Sequence, residues 1–193
     1  MRALIMAARA PHSLVEIVLV LSDEPAAEGL EVARDAGVAA EAIDFRTHGG
    51  KPALETALET RLLASRVEIV CLAGFMRILS DGFVKRWSGR ILNIHPSLLP
   101  DLRGLHTHKR ALAEGRAFHG CTVHFVSAEL DAGPIIAQAR VPVLASDDEQ
   151  ALASRVLREE HRIYPQALEA VARWLRERRP LELASESGVA QYR

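Results

Sequence analysis

The sequence predicts an α/β fold: a mostly parallel sheet with helices on both faces, then a mixed or antiparallel extension toward the C-terminal end. Three observations predict it. Short apolar runs at residues 17–21, 38–44 and 67–73 have the length of strands covered on both faces. Segments with helical periodicity separate them, so the connections are crossovers and the strands should run parallel. Beyond Pro100 the pattern turns to period-two alternation, as expected of antiparallel neighbours with one more polar face.

Taken in order, Met1, Leu4, Ile5 and Ala8 fall at i, i+3, i+4 and i+7 and predict a first helix with one core-facing side. The stretch 1–13 also carries Arg2 and Arg9 without an acid, which faintly suits a transit peptide, but the apolar stripe argues for an ordinary helix. After the strand at 17–21, Pro25 marks a helix start, Leu30 and Ala33 face inward, and Gly37 supplies the stop. Residues 47–52 form a polar loop, and Leu54, Ala57, Leu58 and Leu62 then line one side of a helix. Residues 74–79 leave the end of the strand at 67–73. Ser80 stands where it caps a helix carrying Phe83, Val84 and Trp87.

In the next strand, Ile91, Leu92 and Ile94 fill a covered sheet while Asn93 and His95 interrupt it at alternate positions, which places both on one face. Pro96 fixes the backbone and ends the pairing. Residues 102–115 read as a loop and short helix. Strands at 121–126 and 134–143 follow, the second with Gln138 and Arg140 on one face. From Asp147 to about Arg179 the pattern is helical, with Pro165 predicting a kink or a break into two helices. Val156, Glu160 and Ile163 at i, i+4, i+7 put Glu160 on the core-facing stripe. Residues 185–193 are polar and aperiodic, expected as a frayed tail of a single domain spanning 1–193.

Composition narrows the functional classes. With 193 residues and 49% hydrophobic content, the chain can bury one sizeable core. Lys and Arg number 24 against 25 acids, a formal net charge of -1, so no overall basic field points to nucleic acid or an anionic membrane. The run 67–76 contains Glu68 and is too short to span a bilayer. Two cysteines, Cys71 and Cys121, make no disulfide framework, and a cytoplasmic, reduced setting is expected.

Asn93 and His95 stand where a strand opens into a crevice, the usual ligand site of open α/β sheets. A histidine moves a proton near neutral pH if a carboxylate holds it, and an asparagine amide donates to an oxygen as charge develops. Asp131, in the turn Glu129-Leu130-Asp131-Ala132-Gly133-Pro134, is either that carboxylate or a simple turn former. Five of the eight histidines cluster between His95 and His124, but neither HExxH nor a cysteine pair at zinc spacing occurs. A Ser97/His95/Asp131 hydrolase lacks the Gly-x-Ser-x-Gly elbow. Gly49-Gly50-Lys51 lacks the rest of a nucleotide phosphate loop.

Four ordered motifs carry a resemblance. Ala73-Gly74-Phe75-Met76-Arg77-Ile78-Leu79-Ser80, Leu92-Asn93-Ile94-His95-Pro96-Ser97-Leu98-Leu99-Pro100, Gly104-Leu105-His106-Thr107-His108, and Glu129-Leu130-Asp131 with Gly133-Pro134 resemble the phosphoribosylglycinamide formyltransferases. The resemblance implies a Rossmann-like formyltransferase fold and transfer of formyl from 10-formyltetrahydrofolate to the amine of glycinamide ribonucleotide, without a metal. It implies Asn93, His95 and Asp131 as the catalytic trio, with Asp131 keeping His95 charged. Met76, Arg77, Ile78, Leu79, Asn93 and Val126 fall where the family binds folate, Lys51 where it meets the glutamate tail, and Ile94, Pro96 and Glu160 where it contacts the ribonucleotide. His108 and His124 match positions near the pocket. Small molecules are the expected partners of a monomer or homodimer, with neither nucleic acid nor membrane.

Related readings stay open. Methionyl-tRNA formyltransferase shares the Asn-x-His motif but carries a basic second domain, and the folate deformylases carry an N-terminal regulatory domain. An inactive folate-binding module is a third. The family also begins with an apolar strand and a glycine loop that holds the substrate phosphate. Here Met1 stands where that loop has passed into the first helix, so the chain is expected to be truncated relative to the family. The missing strand would lie centrally, between 17–21 and 67–73, and its loss is expected to open a slot.

Overall fold

A computed structural model describes residues 1–47 and 49–177. Helix α1 (Arg2–Ala8) buries Leu4 and Ile5, as its periodicity predicts. Strands β1 (Leu19–Ser22) and β2 (Ala39–Ala42) pair in parallel, joined by α2 (Glu28–Asp35), which buries Leu30 and Ala33. Helix α3 (Lys51–Ala64) buries Leu54, Leu58 and Leu62, so Lys51 opens a helix and does not sit in the polar loop. There follow β3 (Val70–Leu72), α4 (Asp81–Arg86), β4 (Ile91–His95), α5 (Thr107–Ala113), β5 (Phe118–Phe125), β6 (Ile135–Pro142) and α6 (Glu149–Glu177). Strand β3 runs parallel to β4, whereas β4, β5 and β6 are antiparallel neighbours. The expected combination of a parallel part with an antiparallel C-terminal extension is therefore what the chain forms.

The parallel part is divided. Among the described residues β1 and β2 make one sheet and β3, β4, β5 and β6 another, with no ladder between β1 and β3. A cavity of about 980 Å³ lies between them, lined by Leu19 and Leu21 on one side, Val70 and Leu72 on the other, and Leu4 and Ile5 from α1. That is the place where a central strand is expected. Burial follows from it: β1 and β3, expected as fully covered strands, are only half-buried along their length, because each pairs on one edge and faces the cavity with the other.

Side-chain packing joins the two halves instead. Ile43, Leu54, Leu58 and Leu62 from the first half share a core with Phe83, Trp87 and Ile91 from the second. Ser80 caps α4 as its position predicts, its hydroxyl accepting from the Phe83 amide at 3.2 Å. Buried Glu55 takes the Ser80 amide at 2.6 Å and the Ser80 hydroxyl as well, fixing where α4 starts.

Helix α6 removes one of two expectations: Pro165 does not break it into two helices. A proline inside a helix costs about 3 kcal/mol. Around it Ile163, Tyr164, Ala167 and Leu168 are all buried in the main core, and several such side chains at roughly 1.5–3 kcal/mol each outweigh that loss. The tail at 185–193 lies outside the described residues. No helix among the described residues is long and apolar enough to cross a membrane.

Candidate active site

Strand alternation carries Asn93 and His95 to the same face of β4, and the antiparallel register sets Asn93 opposite His124 of β5. Asn93 Nδ2 lies 3.2 Å from His124 Nε2, while His124 Nδ1 lies 2.9 Å from the Phe125 carbonyl. A carbonyl only accepts, so His124 Nδ1 carries the proton and its bare Nε2 accepts from the Asn93 amide. Burial holds the His124 pKa below the ordinary value, in keeping with that neutral ring. One Asn93 amide proton is thereby committed. The other is available to a substrate oxygen.

His95 is 5% exposed, and both of its nitrogens face oxygen. Nε2 is 3.0 Å from the Leu102 carbonyl, and Nδ1 is 3.4 Å from Asp131 Oδ2. A neutral ring donates to one of these acceptors; only the imidazolium donates to both. Asp131 is itself held: Oδ2 accepts from the Gly104 amide at 2.9 Å.

The Asp131 backbone has φ 50°, a left-handed conformation that aspartate tolerates better than most residues. Two residues on, a Cβ at Gly133 would stand 1.8 Å from the Phe125 carbonyl, so only glycine lets this turn close onto the end of β5. Asp131 is thus both the turn former and the carboxylate beside His95.

Other residues named from sequence lie around this centre. In the β3–β4 register Leu72 stands beside Asn93, so residues 74–79 leave the sheet at the rim that Asn93 and His95 occupy. Met76 and Ile78 on that segment are 74% and 65% exposed, an unusual display for apolar side chains, whereas Leu79 packs into the second core. Arg77 is turned onto Asp23 and the Phe45 ring. Val126 is half-buried and donates its amide to the Ile91 carbonyl at 2.9 Å. Ile94 and Pro96 are half-buried beside His95. Lys51 and Glu160 come from other elements, α3 and α6. Glu160 is half-buried, and burial pushes its carboxyl pKa up, as expected on a stripe facing the sheet.

A second histidine pair stands on the flank, with His108 Nδ1 of α5 3.1 Å from His119 Nε2 of β5. Burial, then the nearby charges of His108, Arg116 and His95, push the His119 pKa down to about 4. Sequence reasoning gave His124 no role beyond proximity. It missed the Leu102 carbonyl, the Gly104 amide, and Asp23 and Phe45 as the partners of Arg77.

Residues 1–168 match the formyl transferase family. The chain belongs to that family. It is 49% identical over 146 residues to the phosphoribosylglycinamide formyltransferase of Escherichia coli K12, covering 69% of that protein and 76% of its own length. Over 172 residues it is 48% identical to the trifunctional purine biosynthetic protein adenosine-3 of Gallus gallus. That match takes in 89% of this chain but spans only 17% of the length of that relative. Among solved structures, the phosphoribosylglycinamide formyltransferase of Brucella melitensis superposes on this formyl transferase with TM-score 0.86 at 51% identity, covering 89% of this chain and 88% of that one. Glycinamide ribonucleotide transformylase 1 of Symbiobacterium toebii gives the same TM-score at 45% identity, over 89% and 81%.

Proposed function

We propose that this chain transfers a formyl group from 10-formyltetrahydrofolate to the amine of glycinamide ribonucleotide, a step of purine synthesis. The observation that carries the reading is the convergence of Asn93, His95 and Asp131 at the rim where the exposed segment 74–79 begins. The names of the relatives support the choice of substrates.

Residue roles follow from the contacts. The acceptor amine attacks the formyl carbon and forms a C–N bond, placing negative charge on the formyl oxygen. The free Asn93 amide proton is one donor for that oxyanion, and His95 supplies the second through Nε2 when substrate takes the place of the Leu102 carbonyl. On collapse the bond to the folate nitrogen breaks, and His95 delivers to it the proton that the acceptor amine gives up. Asp131 holds the ring in place and balances its charge, and the Gly104 amide keeps Asp131 from turning away. Met76, Ile78, Leu79 and Val126 offer apolar surface and backbone groups to the folate ring, Lys51 a charge for its glutamate tail, and Glu160 an acceptor for the ribonucleotide. We propose further that the enzyme works on these small molecules in the cytoplasm, as a monomer or homodimer.

The test is acceptor dependence. Tetrahydrofolate should be released only when glycinamide ribonucleotide is present and should match formylated product mole for mole. Release without acceptor would instead mark a deformylase. Folate binding without either product would mark a binding module.

A further inference from the structure

Segment 74–79 is tethered at two points. At its C-terminal end Ser80 is gripped by Glu55, and in the middle Arg77 is gripped by Asp23 and Phe45. The Arg77 Nε donates to Asp23 Oδ2, and the guanidinium carbon stands 3.6 Å over the centre of the Phe45 ring. Asp23 directly follows β1 and Phe45 lies just beyond β2, and the two are tied to each other by the Phe45 amide donating to the Asp23 carbonyl at 3.3 Å. Both belong to the half of the molecule that shares no ladder with β3. The Arg77 contacts therefore bridge the divided sheet at the rim of the site.

This is more than a surface ion pair. The Asp23 side chain is only 19% exposed, and a stacked, hydrogen-bonded guanidinium uses its planar fork and its face together, which a lysine cannot do. Met76 and Ile78, the neighbours of Arg77, are left outward and unpacked. With little burial of their own to fix them, their position depends on the residue between them.

Resting on the formyl-transfer reading, we propose that Asp23 and Phe45 are positioning residues for the formyl donor. They act through Arg77 to hold segment 74–79 in the shape that receives the folate ring. They touch neither reacting atom, so their loss should weaken donor capture far more than it slows the chemical step.

The experiment compares the full chain with Asp23→Asn and Phe45→Leu, by amide hydrogen exchange without ligand and by steady-state transfer. In both variants the Ser80 amide, which donates to Glu55 at the end of the segment, should exchange at least about fivefold faster, while the amides of β4 and β5 stay as in the wild type. The donor KM should rise about five- to tenfold, the ribonucleotide KM should stay within about twofold, and kcat should fall less than the donor KM rises. Asp23→Glu, which keeps the charge, should restore part of the donor KM. Unchanged exchange at Ser80, or a fall in kcat with the donor KM unmoved, would overturn the proposal. Exchange rising equally through β4 and β5 would also overturn it, by showing a general structural role. A wild-type chain without transfer activity would overturn the formyl-transfer reading alone, since the exchange comparison needs no turnover.

Discussion

Acid should loosen this protein through His119. The ring is 1% exposed on β5, and its pKa of about 4 compares with an ordinary histidine value of about 6.5. The folded state favours the neutral ring, so the unfolded chain binds more protons between those two values. Stability from this group is complete above pH 6.5 and is lost as pH falls through 6.5 toward 4. A shift of about 2.5 units at 1.36 kcal/mol each amounts to roughly 3 kcal/mol over that window. The His108 pKa is lowered as well, again by burial first, so the pair resists a second proton together. Because His108 lies on α5, the first structure to yield should be α5 and the loop before it, which supplies the Leu102 carbonyl to His95 and the Gly104 amide to Asp131. Urea unfolding at pH 7.0 and pH 4.5 of the wild type and of His119→Gln would measure this. Carboxylates titrate in both proteins, so the difference between them isolates the histidine. If His119→Gln loses stability on acidification as steeply as the wild type, the reasoning about this pair is wrong.

Three further outcomes follow. Asp131→Asn keeps the shape of the turn but removes the anion beside His95; kcat should fall on the order of a hundredfold or more with folate affinity little changed, and near-normal turnover would remove Asp131 from the mechanism. Lys51→Ala should weaken a polyglutamylated folate by about 1 kcal/mol relative to a tail-free analogue, an effect that salt should erase; equal losses for both ligands would return Lys51 to a purely structural place. A short apolar strand fused ahead of Met1 should enter the cavity between β1 and β3. About four aliphatic side chains at roughly 2 kcal/mol each, less about 1.5 kcal/mol for each of the four ordered residues, predict a gain of roughly 2 kcal/mol in urea unfolding. No gain would show that the cavity closes without a strand.

What the sequence made legible was local. Alternation through Ile91, Leu92, Asn93, Ile94 and His95 sufficed to place two functional side chains together, and the Gly133-Pro134 pair marked the turn that delivers Asp131. The Ser80 cap could be read because its oxygen serves an amide three residues away. Contacts between distant elements left no such mark. The pairing of Asn93 with His124 depends on a register between strands 31 positions apart, and Arg77 meets Asp23 across 54 positions. The Leu102 carbonyl and the Gly104 amide are backbone groups, which no side-chain pattern announces. No break forms at Pro165, because the cost of the proline is local while the burial that overrides it is tertiary. Partial burial of β1 and β3 escaped for a related reason, since an apolar run reports what a strand is suited to bury and not which neighbours it finds.

The most direct measurement follows a labelled formyl carbon from 10-formyltetrahydrofolate in a single turnover with glycinamide ribonucleotide, using the wild-type chain and His95→Ala. The trio at the end of β4 predicts that the label reaches the ribonucleotide amine in the wild type. It predicts transfer slowed on the order of a thousandfold in His95→Ala, with folate still bound. Label passing to water in place of the amine, or equal rates in the two proteins, would contradict it.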